Sequence, residues 1–408
     1  MNIRRRFVPH LVGLLTLAAA APGARAVVFT DGSASVWTYL RNDSTDHVYV
    51  VPAFSFTAGD LGMKALRFEG SLRGFSDVRG GKSEERMLRI LRGVLVYAPE
   101  QKPYEARLGQ QWLTEGVGRG NVAGLWLRYR FDKRTSLTIY GGSRIAESIS
   151  LQETNRYQGY AVGLAARAYL EPFNVGASYY YLGKSGNLLY HAAGLDANGR
   201  LSRSLAVRAR FEMNVKQAAV ERAQILADWR ARSNVQVTGE FRSQAPRIFE
   251  DSYFTIFLSE ASTTYGRANL RWEFHKPFYG RAGGTVLFSE SPDPLYKVQL
   301  ALGHRFAEIG YTHWLSVNKG VMDGMFLQAT YRFRDRYDFF AGYDWAHGSN
   351  ADSDLKPATD SHAAYFGGTA EILRPLSVTA RAEQVRDVER SSDWRGLLGV
   401  TARFSNLR

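Results

Sequence analysis

From Arg128 to the C-terminus the chain repeats one unit: alternating apolar and polar residues, a very short turn, a second alternating run, and a longer polar connection. The stretch Met325–Phe333, then Arg334-Asp335-Arg336, then Tyr337–Trp345 shows it fully. A period of two gives each strand one apolar and one polar face. In a soluble sandwich the apolar faces would bury a shared core. Here one set is apolar without a break while the other carries many arginines, which suits a barrel with lipid outside and water inside. The pattern therefore predicts an all-β chain folded as a transmembrane antiparallel up-and-down β-barrel.

Short turns are predicted at Asp132–Arg134, Glu171–Phe173, His275–Pro277, Ala307–Glu308, Arg334–Arg336 and Arg374–Leu376. Longer connections fall at Ala146–Asn155, Gln244–Thr263, Asn318–Asp323 and His347–Ser361. Short on one side and long on the other is how periplasmic turns and extracellular loops differ. The tally is about 22 strands, within a range of about 18–24, because such barrels use even numbers. That leaves roughly 17 residues per strand plus connection, against the 9–11 a tilted strand needs to cross, so little chain remains for a plug. Aromatic residues gather beside the short turns: Tyr129 and Phe131, Trp272 and Phe274, Phe333 and Tyr337. A girdle at the lipid–water boundary places them this way.

Ahead of the repeat, Arg4, Arg5 and Arg6, the apolar run Leu11–Ala21 and Ala24-Arg25-Ala26 read as a cleaved secretory signal over 1–26. Residues 27–408 are then a single barrel domain. The apolar run is too short to span a bilayer as a helix. There is no cysteine, which excludes disulfides, thiolate metal sites and covalent c-type haem attachment within this chain. The net charge is +13, and only four of the arginines lie in the leader, so the barrel itself is basic. Export and the lack of any recognition motif argue against nucleic acid; lipopolysaccharide and anionic solutes remain as partners.

Parity assigns the lumen once the apolar set faces lipid. Around Leu205–Met213 the odd positions are apolar, so Arg208, Arg210 and Glu212 point inward. The same reasoning lines the pore with Arg67, Arg128, Arg130, Arg267, Arg271, Arg332, Arg334, Arg381, Arg395 and Arg403. Any of these turned toward lipid at mid-depth would cost about 2–4 kcal/mol. The strand around Arg89 and Arg92 breaks parity, which predicts either a β-bulge or a register error there. Inward arginines outnumber inward acids, so the lumen potential is expected to be positive. They either lower the barrier for anions or brace the wall through arginine–carboxylate ladders.

The final strand, Trp394–Phe404, alternates and reaches an aromatic, and it resembles the C-terminal assembly strand of bacterial outer-membrane barrels. Over the length of the predicted barrel the chain resembles Gram-negative outer-membrane β-barrel proteins of porin-like size. That resemblance implies a passive channel for small polar solutes or ions, anion-favouring on the charge argument, in contact with outer-membrane lipid and lipopolysaccharide, as a monomer or a homo-oligomer. The apolar connection Gln244–Thr263 is either an infolded constriction loop similar to that of general porins, with Glu250 and Asp251 facing the arginines, or a strand pair projecting above the membrane. A wide lumen motivates an alternative: a sheath enclosing a periplasmic or extracellular partner such as a multihaem cytochrome. One short motif, His347-Gly-Ser349-Asn350, resembles the His-x-Ser-Asn sequence of lipid A deacylases. It implies His347 as base, Ser349 as nucleophile and Asp360 as the nearest acid; turn chemistry alone would also write this polar stretch. The remaining histidines lack metal-ligand spacing. No catalytic residue, metal or cofactor is expected.

Overall fold

The computed structural model describes residues 28–42, 46–59, 61, 63–79, 87–145, 157–245, 262–288, 293–316, 320–349, 359–386 and 392–405. The expected leader, and the Gln244–Thr263 connection with Glu250 and Asp251, lie outside the described residues apart from the ends of that connection. The strands are β1 Val28–Asn42, β2 Asp46–Gly59, β3 Leu66–Asp77, β4 Met87–Tyr97, β5 Tyr104–Leu113, β6 Gly120–Arg130, β7 Thr135–Ile145, β8 Tyr157–Leu170, β9 Phe173–Lys184, β10 Asn187–Arg200 and β11 Leu205–Asn214. They continue as β12 Ala219–Arg232, β13 Val235–Gln244, β14 Thr263–His275, β15 Phe278–Phe288, β16 Leu295–His304, β17 Ala307–Ser316, β18 Gly320–Phe333, β19 Tyr337–Ser349, β20 Thr359–Leu373, β21 Leu376–Arg386 and β22 Asp393–Ser405.

All 22 belong to one sheet, each pairing antiparallel with its sequence neighbours. β1 also pairs with β22, from Asp31↔Ser405 to Asn42↔Trp394. Closure matters because an open edge would leave backbone donors and acceptors facing hydrocarbon. At the usual strand spacing and tilt, a circular section of this barrel would be about 40 Å across.

Alternation decides the faces. In β6, Leu125, Leu127 and Tyr129 are exposed, whereas Trp126 between them is 1 % exposed. Exposed Leu, Ile, Val and aromatic side chains recur on one face of nearly every strand and form the outer surface. The opposite, concave face holds the buried Trp126, Tyr140, Tyr180 and Tyr190. Near the short turns the outer rings meet in a chain: Phe278 to His304 at 4.8 Å, His304 to Phe306 at 5.3 Å, and Phe306 to Tyr331 at 5.6 Å. His304 belongs to this girdle.

Several boundaries differ from the sequence reading. The turn expected at Ala307–Glu308 is Arg305-Phe306, and both expected residues open β17. Gly320–Asp323 and His347–Ser349 are strand rather than connection, because β-pairing continues past the polar residues that suggested a loop. The contrast of short and long ends also fails at β9–β10, joined by Ser185-Gly186 alone. Their φ values of 50° and 82° suit a two-residue hairpin whose twist matches the strands. The expected bulge is present: Ser71 pairs Arg92 and Leu72 pairs Ile90, so Leu91 is skipped. Arg92 and Arg89, the latter paired with Arg73, thereby reach the same face.

Candidate functional site

The concave face is built from arginines laid against carboxylates and rings. Spacing by two puts residues i and i+2 on one face, within reach of a long Arg–Glu pair. Among the described residues, six such pairs are these. Arg67 Nε reaches Glu69 at 2.9 Å, Arg107 Nε reaches Glu105 at 2.9 Å, and Arg381 reaches Glu383 at 3.0 Å. Arg210 with Glu212, Arg271 with Glu273 and Arg395 with Asp393 are the others. Cross-strand partners add Arg267–Glu240 at 2.6 Å, Arg281–Glu308, and a two-pronged Arg332–Asp338 contact at 2.6 and 3.0 Å. Aromatic rings hold further guanidinium groups flat: Arg271 lies 3.7 Å from the Tyr279 centroid and Arg381 4.5 Å from that of Tyr365.

A short loop, residues 114–119 between β5 and β6, turns onto this face. Arg128 donates to Glu115 at 2.8 Å, and the Val117 N–H donates to Ser178 Oγ at 3.0 Å. Arg210 donates to the Gly116 carbonyl at 2.5 Å, and Arg119 stands 3.5 Å from Glu212. Val117 packs, 1 % exposed, into a cluster with Leu113, Trp126, Tyr140, Tyr180, Leu182 and Tyr190. Gly116 has φ 58°, and a Cβ there would lie 2.1 Å from Ser178 Oγ, so the loop needs glycine at that position. The loop therefore lies across the wall from β6 to β11.

The register puts Arg67, Arg128, Arg130, Arg208, Arg210, Arg267, Arg271, Arg332, Arg381, Arg395 and Arg403 on the face that carries this loop and the carboxylate ladder. Arg130 is 3.9 Å from Glu105; Arg208 and Arg403 have no carboxylate partner among the described residues. Arg334 is the exception. It sits in the β18–β19 turn with φ 52° and stacks 5.0 Å from the Phe333 centroid, because the strand ends one residue before it. Alternation does not mark residues 114–119 as an inward loop; the one sequence signal is a valine between glycines.

Toward the end of the barrel opposite the short turns, the outer face carries a row the sequence left scattered. The register aligns His313, Asp323, His347 and Asp360 across β17 to β20. His313 Nδ1 is 2.8 Å from Asp323 and His347 Nδ1 is 2.9 Å from Asp360. Tyr343 OH meets His362 Nδ1 at 2.6 Å beside them. No group of three or more His, Asp or Glu arranged to hold a metal occurs among the described residues.

No family model matches the sequence, and no curated protein does either. Solved structures match in shape. The P pilus usher PapC translocation pore aligns with 91 % of this chain and 99 % of its own at 9 % identity, with a TM-score of 0.52. A mutant of the ferric enterobactin receptor PfeA from Pseudomonas aeruginosa aligns with 92 % of this chain and 80 % of its own at 8 % identity, with a TM-score of 0.57. The chain thus has the closed antiparallel β-barrel fold of outer-membrane proteins.

Proposed function

We propose that this barrel is an outer-membrane channel through which small polar solutes and ions diffuse passively, with a preference for anions. The observation that carries the reading is the charge of the concave face. Its arginines exceed its carboxylates even after the ladders are paired, leaving Arg208 and Arg403 without acidic partners among the described residues. Such a surplus raises the potential inside a low-dielectric wall and lowers the barrier for negative solutes. The inward loop supports the reading too, since a barrel of this girth needs something to narrow it. The test is single-channel recording of the refolded protein in a planar bilayer under a salt gradient. Large steps with a reversal potential on the anion side are expected. A correctly folded but silent barrel would overturn the channel and favour the sheath, to be sought as a co-purifying multihaem partner.

One observation favours a second reading, an acyl hydrolase facing the outer leaflet. Asp360 bonds His347 Nδ1 as the acid of a triad would, and Ser349 follows two residues along the same strand. The same pairing recurs at His313–Asp323, where Leu315 stands two residues on. A polar belt at the lipid boundary accounts for both pairs, so the channel stays ahead. Outer membranes whose lipid A acylation is identical with Ser349→Ala and the parent chain would remove the hydrolase.

A further inference from the structure

At the short-turn end of the barrel, β10 to β13 form an open pocket of about 180 Å³ lined by Arg200, Arg203, Arg230, Asp228, Gln236 and the serines of the 201–204 turn. The register explains the opening. Arg200 pairs Ala206, and Ala206 pairs Asp228, so a methyl group stands where a long side chain would close the space. Arg230 pairs Gln236 in the row below. The turn is fixed in shape: Ser202 Oγ accepts the N–H groups of Ser204 at 3.2 Å and Leu205 at 3.1 Å. The Arg230 N–H in turn bonds the Ser204 carbonyl at 2.8 Å. Arg203 is thereby carried at the tip of a braced turn.

These three arginines differ from the ladders above them. None has a carboxylate within ion-pair distance among the described residues. The one acid in the cavity, Asp228, is engaged by the Thr238 hydroxyl at 2.9 Å. Three guanidinium groups against one carboxylate leave a surplus near two positive charges. Guanidinium forks match the oxygens of phosphate in geometry as well as charge. The space equals about six waters at about 30 Å³ each, enough for one compact oxyanion keeping part of its hydration.

We propose that this cavity is a binding site for a phosphate-class dianion at the periplasmic mouth, held by Arg200, Arg203 and Arg230. It deepens the anion-favouring channel, on which its biological meaning rests, by assigning the oxyanion a station on the path. Chloride, a single small charge, would not engage the three forks together, so the site separates phosphate-bearing solutes from halide.

The test is calorimetric titration of the detergent-folded barrel with inorganic phosphate, against chloride at equal ionic strength. Saturable binding of one phosphate per chain is expected, absent with chloride. It should vanish in the Arg200→Gln/Arg203→Gln/Arg230→Gln variant and persist in an Arg403→Gln control, which removes a lumen arginine on β22, away from β10 to β13. Arg203→Gln alone, at an exposed turn tip where folding is safe, should weaken binding about tenfold. Absence of saturable binding, or equal loss in the triple variant and the control, would overturn the site. Binding is read without current flow, so a barrel that binds phosphate but does not conduct would refute the channel and leave the site standing.

Discussion

Asp132 shows how much a single turn residue does here. Its Oδ1 accepts N–H groups from Arg134 and Thr135, both at 2.6 Å, closing the β6–β7 turn. Those backbone donors hold its carboxyl below the usual carboxylate range. A depressed folded-state pKa contributes stability above the unfolded value of about 3.9, lost as pH falls through the folded value. Asp132→Ala should therefore unfold at a lower temperature than the parent at neutral pH, with the gap closing in strong acid. A gap independent of pH would show that the charge is irrelevant to the turn. Trp126 is the opposite kind of residue, 1 % exposed, with Arg107 at 4.1 Å and Arg128 at 4.7 Å from its ring. Trp126→Ala should cost about 3–5 kcal/mol, read from urea unfolding in bilayers. The Arg-x-Glu spacing of Arg67/Glu69 and Arg381/Glu383 was legible without coordinates, since period two forces those pairs onto one face. Trp126 was not singled out, because an aromatic flanked by Leu125 and Leu127 resembles another lipid-facing residue until its parity with Arg128 is applied.

Among the elements, the 114–119 loop carries the clearest functional prediction. Gly194 on β10 makes room for it: a Cβ there would stand 2.4 Å from Val117 Cγ1. Gly194→Val should push the loop off the wall into the lumen and lower single-channel conductance below the parent's, whereas deletion of residues 115–119 should raise it. Unchanged conductance in both would show that the loop does not set the narrowest section. The strands and most short turns were readable because alternation and turn chemistry are local. The loop's destination was not, since its contacts join Val117 to Ser178 and Gly116 to Arg210. The contrast of short and long ends does not hold at Ser185-Gly186, a tight hairpin at the end that carries the longer connections.

At the scale of the whole molecule, one closed sheet divides the chain's polarity into two environments. Large apolar side chains remain exposed on the outer face, and arginines gather on the concave face. If the lumen field sets ion preference, it must fade as salt screens it. The Debye length falls from about 10 Å at 0.1 M to about 3 Å at 1 M. The anion-to-cation permeability ratio should drop toward one across that range in reversal-potential measurements. A ratio constant with salt would mean that tight local sites, not the lumen field, select ions.

The class of fold and the side of the wall on which most arginines lie follow from the sequence, because hydrocarbon penalises every misplaced charge and a strand has only two faces. At Arg89 and Arg92 the broken alternation marked an irregularity, and the register shows it to be a bulge. Tertiary structure alone decided which arginines are paired and which are not, that residues 114–119 lie inside, and that His313, Asp323, His347 and Asp360 form one row. Each of these depends on which residues closure sets side by side across strands, and alternation along a single strand says nothing about its neighbour's register.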